Sequence, residues 1–163
     1  MDDHRERNKA LIRRWIAPAP DGSGPFLLTD AARELLAADA VWHLPPSAEL
    51  PGVSADGVVR GRDAIHGIQR RAREIYDVPT MRTEVRRLLA DEDWVVLQYS
   101  MRCRAANGRP FAQEYVFLFE VRDGHIATIW DYYDTLHLER VVFAGPGPGG
   151  AGLSPPTGRP AGR

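Results

Sequence analysis

One cysteine, one lysine and no long apolar run are what this sequence has least of, and each scarcity excludes something. Cys103 stands alone, so neither an intramolecular disulfide nor a cysteine-based metal cluster can form, which fits a reducing compartment. Lys9 is the single lysine; 20 arginines are balanced by acidic residues to a net charge of −1, and no basic run exceeds two residues. Without a basic field, nucleic acid and anionic membrane surfaces are not expected partners. No stretch reaches the roughly 20 apolar residues of a spanning helix, and the opening MDDHRERNK lacks the apolar core of a signal peptide. A cytoplasmic location is expected. Phosphate-binding loops, dinucleotide fingerprints, HExxH and nucleophile-elbow sequences are missing, and the five histidines have no zinc-site spacing. The chemistry is therefore expected to use neither metal nor cofactor.

What is present describes one domain. The chain has 163 residues with 44% hydrophobic content, enough for a single core. Leu11, Ile12, Trp15 and Ile16 repeat at helical spacing and predict a helix over residues 4 to 16, ended by APAPDGSGP. A short helix is expected from Thr29 or Asp30 through Leu36, then a strand in AVWHLP. After the turn-rich PPSAELPGVSADGVV, the stripe of Ile65, Ile68, Ala72 and Ile75 predicts a third helix, with Pro79 beyond its end and His66 off the stripe in solvent. Residues 145–163 hold 12 Gly or Pro in 19 positions, so the domain is placed at 1–144 and the tail is expected to be disordered.

From residue 80 the period becomes two. MRTEVRRLLA, DWVVLQYSMRCRA, FAQEYVFLFEV and HIATIWDYYD are four strand candidates joined by DED, NGR and RDG. Helices followed by an antiparallel meander make an α+β fold. On the second of these strands, Val96, Gln98, Ser100, Arg102 and Arg104 share a face. Spacing alone reads that face as solvent; as a pocket wall it would offer Gln98, Ser100 and Arg102 to a substrate. The segment IWDYYD sets Asp131 and Asp134 three apart, hence on opposite faces of a strand. Counting outward from Asp123-Gly124 without a bulge pairs Asp131 with Val116 and leaves Asp134 on the more aromatic face of Tyr115, Phe117, Phe119, Trp130 and Tyr132. Both faces are apolar, which suggests that one meets a second subunit and predicts a homodimer.

The order of helices, AVWHLP, the spacer ending in GRDAI, and the strands closing with NGRPFAQEYVFLFEVRDGHIATIWDYYD resembles the SnoaL-like polyketide cyclases of the nuclear transport factor-like superfamily, over roughly residues 5 to 143. Limonene-epoxide hydrolases and ketosteroid isomerases share that superfamily. The resemblance implies a cone-shaped, curved and mixed sheet covered by about three N-terminal helices, with an apolar pocket holding one or two acid-base residues. Limonene-epoxide hydrolases end in a similar W-x-D-Y-F-D segment whose first aspartate is catalytic, which points to Asp131 and requires a β-bulge to reverse the parity count. The other two positions of their Asp-Arg-Asp triad fall on Gln98 and Ser100, and their water-holding tyrosine and asparagine on Trp42 and Leu44, so that triad is not carried over. The implied activity is a cofactor-independent acid-base cyclase or isomerase acting on a hydrophobic polyketide-type substrate. Asp131 and His43 are its candidate catalytic groups, and Trp42, Gln98, Ser100, Arg102, Tyr115 and Tyr133 its candidate substrate contacts. An epoxide-opening enzyme with an incomplete triad, and a ligand-binding or dimerisation module without catalysis, are the alternatives.

Overall fold

The computed structural model describes residues 2–143 apart from 49, 51, 52 and 54. The tail expected to be disordered thus lies outside the described residues. Helix α1 (Asp2–Ile16) leads through two 3₁₀ turns (Phe26–Leu28 and Asp30–Leu35) into strand β1 (Leu36–His43). Strand β2 (Val58–Arg60), helix α2 (Arg62–Ile75), strands β3 (Tyr76–Asp91), β4 (Trp94–Ala105), β5 (Pro110–Arg122) and β6 (His125–Tyr133), and the short helix α3 (Thr135–Leu138) follow. A single π turn, Glu139–Phe143, ends the described chain.

The described residues form one mixed sheet in the order β2-β1-β6-β5-β4-β3, antiparallel except where β1 runs parallel to β6. The fold is α+β as expected, with three differences of detail. The second helix is 3₁₀ rather than α, in keeping with its six residues. The turn-rich spacer contains the edge strand β2. Strand β3 starts directly at the end of α2, so Pro79 sits inside it. That position is tolerated because β3 is an edge strand and its register slips between Asp77 and Arg82.

Alternation along β4 and β5 sends Val95, Leu97, Tyr99, Met101, Tyr115, Phe117 and Phe119 inward, all of them buried. Helix α1 lies against this inner face. Trp15 meets Phe117 and Phe119 edge-on at 5.3 and 5.2 Å, and the Asn8 amide donates to the Glu92 carbonyl at 3.0 Å. Each such buried ring contributes about 1.5–3 kcal/mol through removal from water. Helix α2 packs by Ile65, Ile68, Ala72 and Ile75, as the stripe predicts. Its His66 is a correction: it is only 6% exposed, with Nε2 3.6 Å from Oδ1 of Asp30. The projection around one helix does not include the 3₁₀ segment that covers His66. At the far end, the Asn107 amide donates to the carbonyls of Val141 (2.7 Å) and Val142 (3.1 Å), fastening the π turn to the β4–β5 loop.

Candidate active site

Asp123 and Gly124 both have positive φ (52° and 74°), the conformation of the two-residue hairpin expected there. Two pairs beyond it the register shifts: Val121 pairs with Ile126, whereas Glu120 pairs with Thr128. Ala127 is the extra residue, a β-bulge, and Ile126 and Ala127 are consecutively buried on either side of the parity change. From there Ile129, Asp131 and Tyr133 stand opposite Phe119, Phe117 and Tyr115 on the inner face. Trp130 and Tyr132 turn outward.

The inner face, α1, α2 and the C-terminal turn enclose a cavity of about 1040 Å³, counting the space at its open mouth. Its walls are dominated by aromatic and aliphatic side chains, including Trp15, Trp42, Tyr99, Tyr115 and Phe117, and Leu138 and Phe143 close one side. Tyr99, Tyr115 and Phe117 stand as near-parallel rings 5.1 to 6.2 Å apart. Arg71 and Glu74, bridged at 3.2 Å, mark the mouth.

Asp131 lines this cavity, is 5% exposed, and its Oδ1 has no hydrogen-bond partner among the described residues. Burial pushes its carboxyl well above the usual aspartate range, and no basic group offsets that effect. The resting carboxyl is therefore held towards its neutral form. Burial also raises the phenols of Tyr76, Tyr99, Tyr115 and Tyr133, with the neighbouring Asp131 adding to each. They are donors rather than bases. The indole Nε1 of Trp42 and the amide of Gln69 are likewise buried in the wall without partners among the described residues.

Of the residues singled out in the sequence, Asp131, Trp42, Tyr115 and Tyr133 line the cavity. Four others do not. His43 follows Trp42, so it points to the outer face and stacks on Trp130 at 5.0 Å. Gln98 accepts from Arg87 at 2.7 Å on that same outer face. Ser100 is buried there between Glu84 and Glu114 of the adjacent strands, and Arg102 is exposed. All three alternate with the inward Tyr99 and Met101, so one strand cannot present both sets to the same space. Asp134 is exposed and caps α3, accepting from the His137 backbone N–H at 2.9 Å. Sequence reasoning passed over Gln69, Tyr76 and Tyr99. A glutamine amid the apolar stripe of α2 was the available signal. Among the described residues no group of three or more His, Cys, Asp or Glu is placed to hold a metal ion, and no helix is long and apolar enough to cross a membrane.

A curved mixed sheet closed by helices over an interior cavity is the NTF2-like α+β fold. An NTF2-like protein of unknown function from Burkholderia pseudomallei matches with a TM-score of 0.70 at 21% identity, over 85% of this chain and 98% of that one. A candidate SnoaL-like polyketide cyclase from Jannaschia sp. CCS1 matches at 0.68 and 16%, over 88% and 96%. A loop-truncation variant of IdmH matches at 0.64 and 25%, over 82% and 98%. No curated protein sequence matches. Residues 27–129 match the model of the SnoaL-like domain, and the chain belongs to that family.

Proposed function

We propose that this protein is a cofactor-independent cyclase or isomerase that moves a proton within a hydrophobic, polyketide-type substrate through Asp131. The observation that carries the reading is a carboxyl group at the wall of a large aromatic cavity, buried without a counter-ion and with one oxygen unpartnered among the described residues. Such a site departs from a packed core, where an apolar residue would be more stable. Membership of the SnoaL-like family and the likeness to one protein described as a candidate polyketide cyclase support the same class.

The ionised carboxylate, destabilised by burial, is a stronger base than an aspartate in water. It takes a proton from carbon next to a carbonyl, and a neutral phenol such as Tyr115 or Tyr133, or the Trp42 indole N–H, donates to the enolate oxygen. Asp131, now protonated, returns that proton to another carbon in an isomerisation. In an aldol cyclisation it returns it to the alkoxide formed when the enolate carbon attacks a second carbonyl. In an intramolecular epoxide opening the neutral carboxyl gives its proton to the epoxide oxygen as a hydroxyl of the same substrate attacks carbon and the C–O bond breaks, and the carboxylate then takes the proton of that hydroxyl, a variant on the same residue.

The test is deuterium incorporation from D₂O next to the carbonyl in a panel of one- to three-ring hydrophobic ketones, followed by NMR. Exchange accelerated by the wild type and lost in Asp131→Asn is the expected result. Exchange undiminished in that variant would sink the proposal.

A further inference from the structure

Proton transfer at Asp131 makes no use of another polar group of the cavity wall, the amide of Gln69. Gln69 is 3% exposed, lines the cavity, and neither Oε1 nor Nε2 has a hydrogen-bond partner among the described residues. Its neighbours one turn away on the same face of α2, Ile65 and Ala72, are apolar. Packing alone would be better served there by leucine or methionine, because a buried amide without partners is unfavourable. His66, three residues earlier, is also buried, but it stays out of the cavity wall and lies by Asp30.

We infer that Gln69 is a specificity-determining residue, and that its ligand is a neutral fused-ring compound carrying a hydrogen-bond donor directly beside an acceptor. A lactam, or an enol next to a carbonyl, is of this kind. A primary amide presents one N–H and one C=O side by side, and both are satisfied together only by a partner with the complementary pair. A lone ketone meets the N–H and leaves the carbonyl of Gln69 unpaired; a hydrocarbon leaves both unpaired. The unpartnered indole Nε1 of Trp42 calls for one further acceptor on the ligand. Neutrality follows from the wall itself. Among its described residues the only cation is Arg71 at the mouth, which already bridges Glu74, so the apolar wall offers little to offset the desolvation of an anion. The volume of the cavity and its near-parallel aromatic rings suit a flat, multi-ring body. The inference rests on the cavity proposed above as the ligand's place, and not on the reaction assigned to Asp131.

The probes are 2-quinolone, a fused ring with N–H beside C=O, and N-methyl-2-quinolone, in which the donor is blocked. Titration calorimetry on the full chain is expected to show wild type preferring 2-quinolone by about tenfold or more, the effect of one well-made buried hydrogen bond. Gln69→Met should bind the two alike without a fall in Tm, since an apolar side chain of similar size replaces an unpaired amide. Equal affinities in the wild type, no binding of either probe at millimolar concentration, or a preference surviving in Gln69→Met would each overturn the inference. The deuterium-exchange test is separate: exchange can fail while the lactam preference stands, and the reverse.

Discussion

Asp131 has opposite consequences for chemistry and for stability, and both can be read against pH. Below the ordinary aspartate pKa of about 3.9 the folded and unfolded chains both hold the proton. As pH rises the unfolded chain releases it first, because burial raises the folded pKa. The folded state then binds more protons, so stability falls with pH between the two pKa values. Asparagine mimics the neutral acid and does not titrate. Asp131→Asn is therefore expected to melt higher than wild type by a margin that widens from pH 4 towards pH 8, as scanning calorimetry would show. Proton-abstraction activity should move the other way. It should fall by about 10²- to 10⁴-fold in the variant, the usual worth of a general acid or base. In wild type it should rise with pH through the raised pKa, since only the ionised carboxylate is a base.

At the scale of elements, one residue decides which side of β6 meets the cavity. Ala127 is the bulge that turns Ile129, Asp131 and Tyr133 inward. Inserting one residue after Thr128 would move every later pair by one and set Asp131 opposite Val116 on the outer face, with Trp130 and Tyr132 driven into the core. Loss of the cooperative melt, or a folded protein without exchange activity, is the expected outcome of that insertion; a folded variant of normal activity would show that the register of β6 does not orient Asp131. Asp134 belongs to the next element. Its carboxylate caps α3 through the His137 N–H, so Asp134→Ala should cost about 0.5–2 kcal/mol in urea denaturation while leaving activity within a few-fold of wild type.

For the whole molecule, the outer face of the sheet carries a row that crosses five strands: Leu89, Val96, Leu118, Trp130 and His43 are successive lateral neighbours. Leu89 is 60% exposed and nearby Tyr132 56%. A contiguous apolar face of this kind is what subunits cover, and we propose that two copies pair through it. Light scattering at tens of micromolar should give a dimer, and Leu118→Asp should give a monomer with the cavity intact. A wild-type monomer would count against it. Residues beyond 143 are outside this argument; their composition predicts that truncation after Gly145 leaves Tm nearly unchanged.

Residue order alone settles the α+β class, the meander and the family, because these depend on periodicity, turn chemistry and motif order, which are local or nearly so. It also marked Asp131, Tyr115 and Tyr133 through their place in segments shared with a known family. Which face of each strand meets the cavity emerged only from the pairing of the folded sheet. Parity is a running count, and a single bulge at Ala127 inverts everything after it without a sequence signal of its own. The same dependence moved His43, Gln98, Ser100 and Arg102 outside, since each alternates with an inward neighbour. The burial of His66 became legible only once the 3₁₀ segment closed against α2, because burial is a property of what packs against a residue and not of the residue.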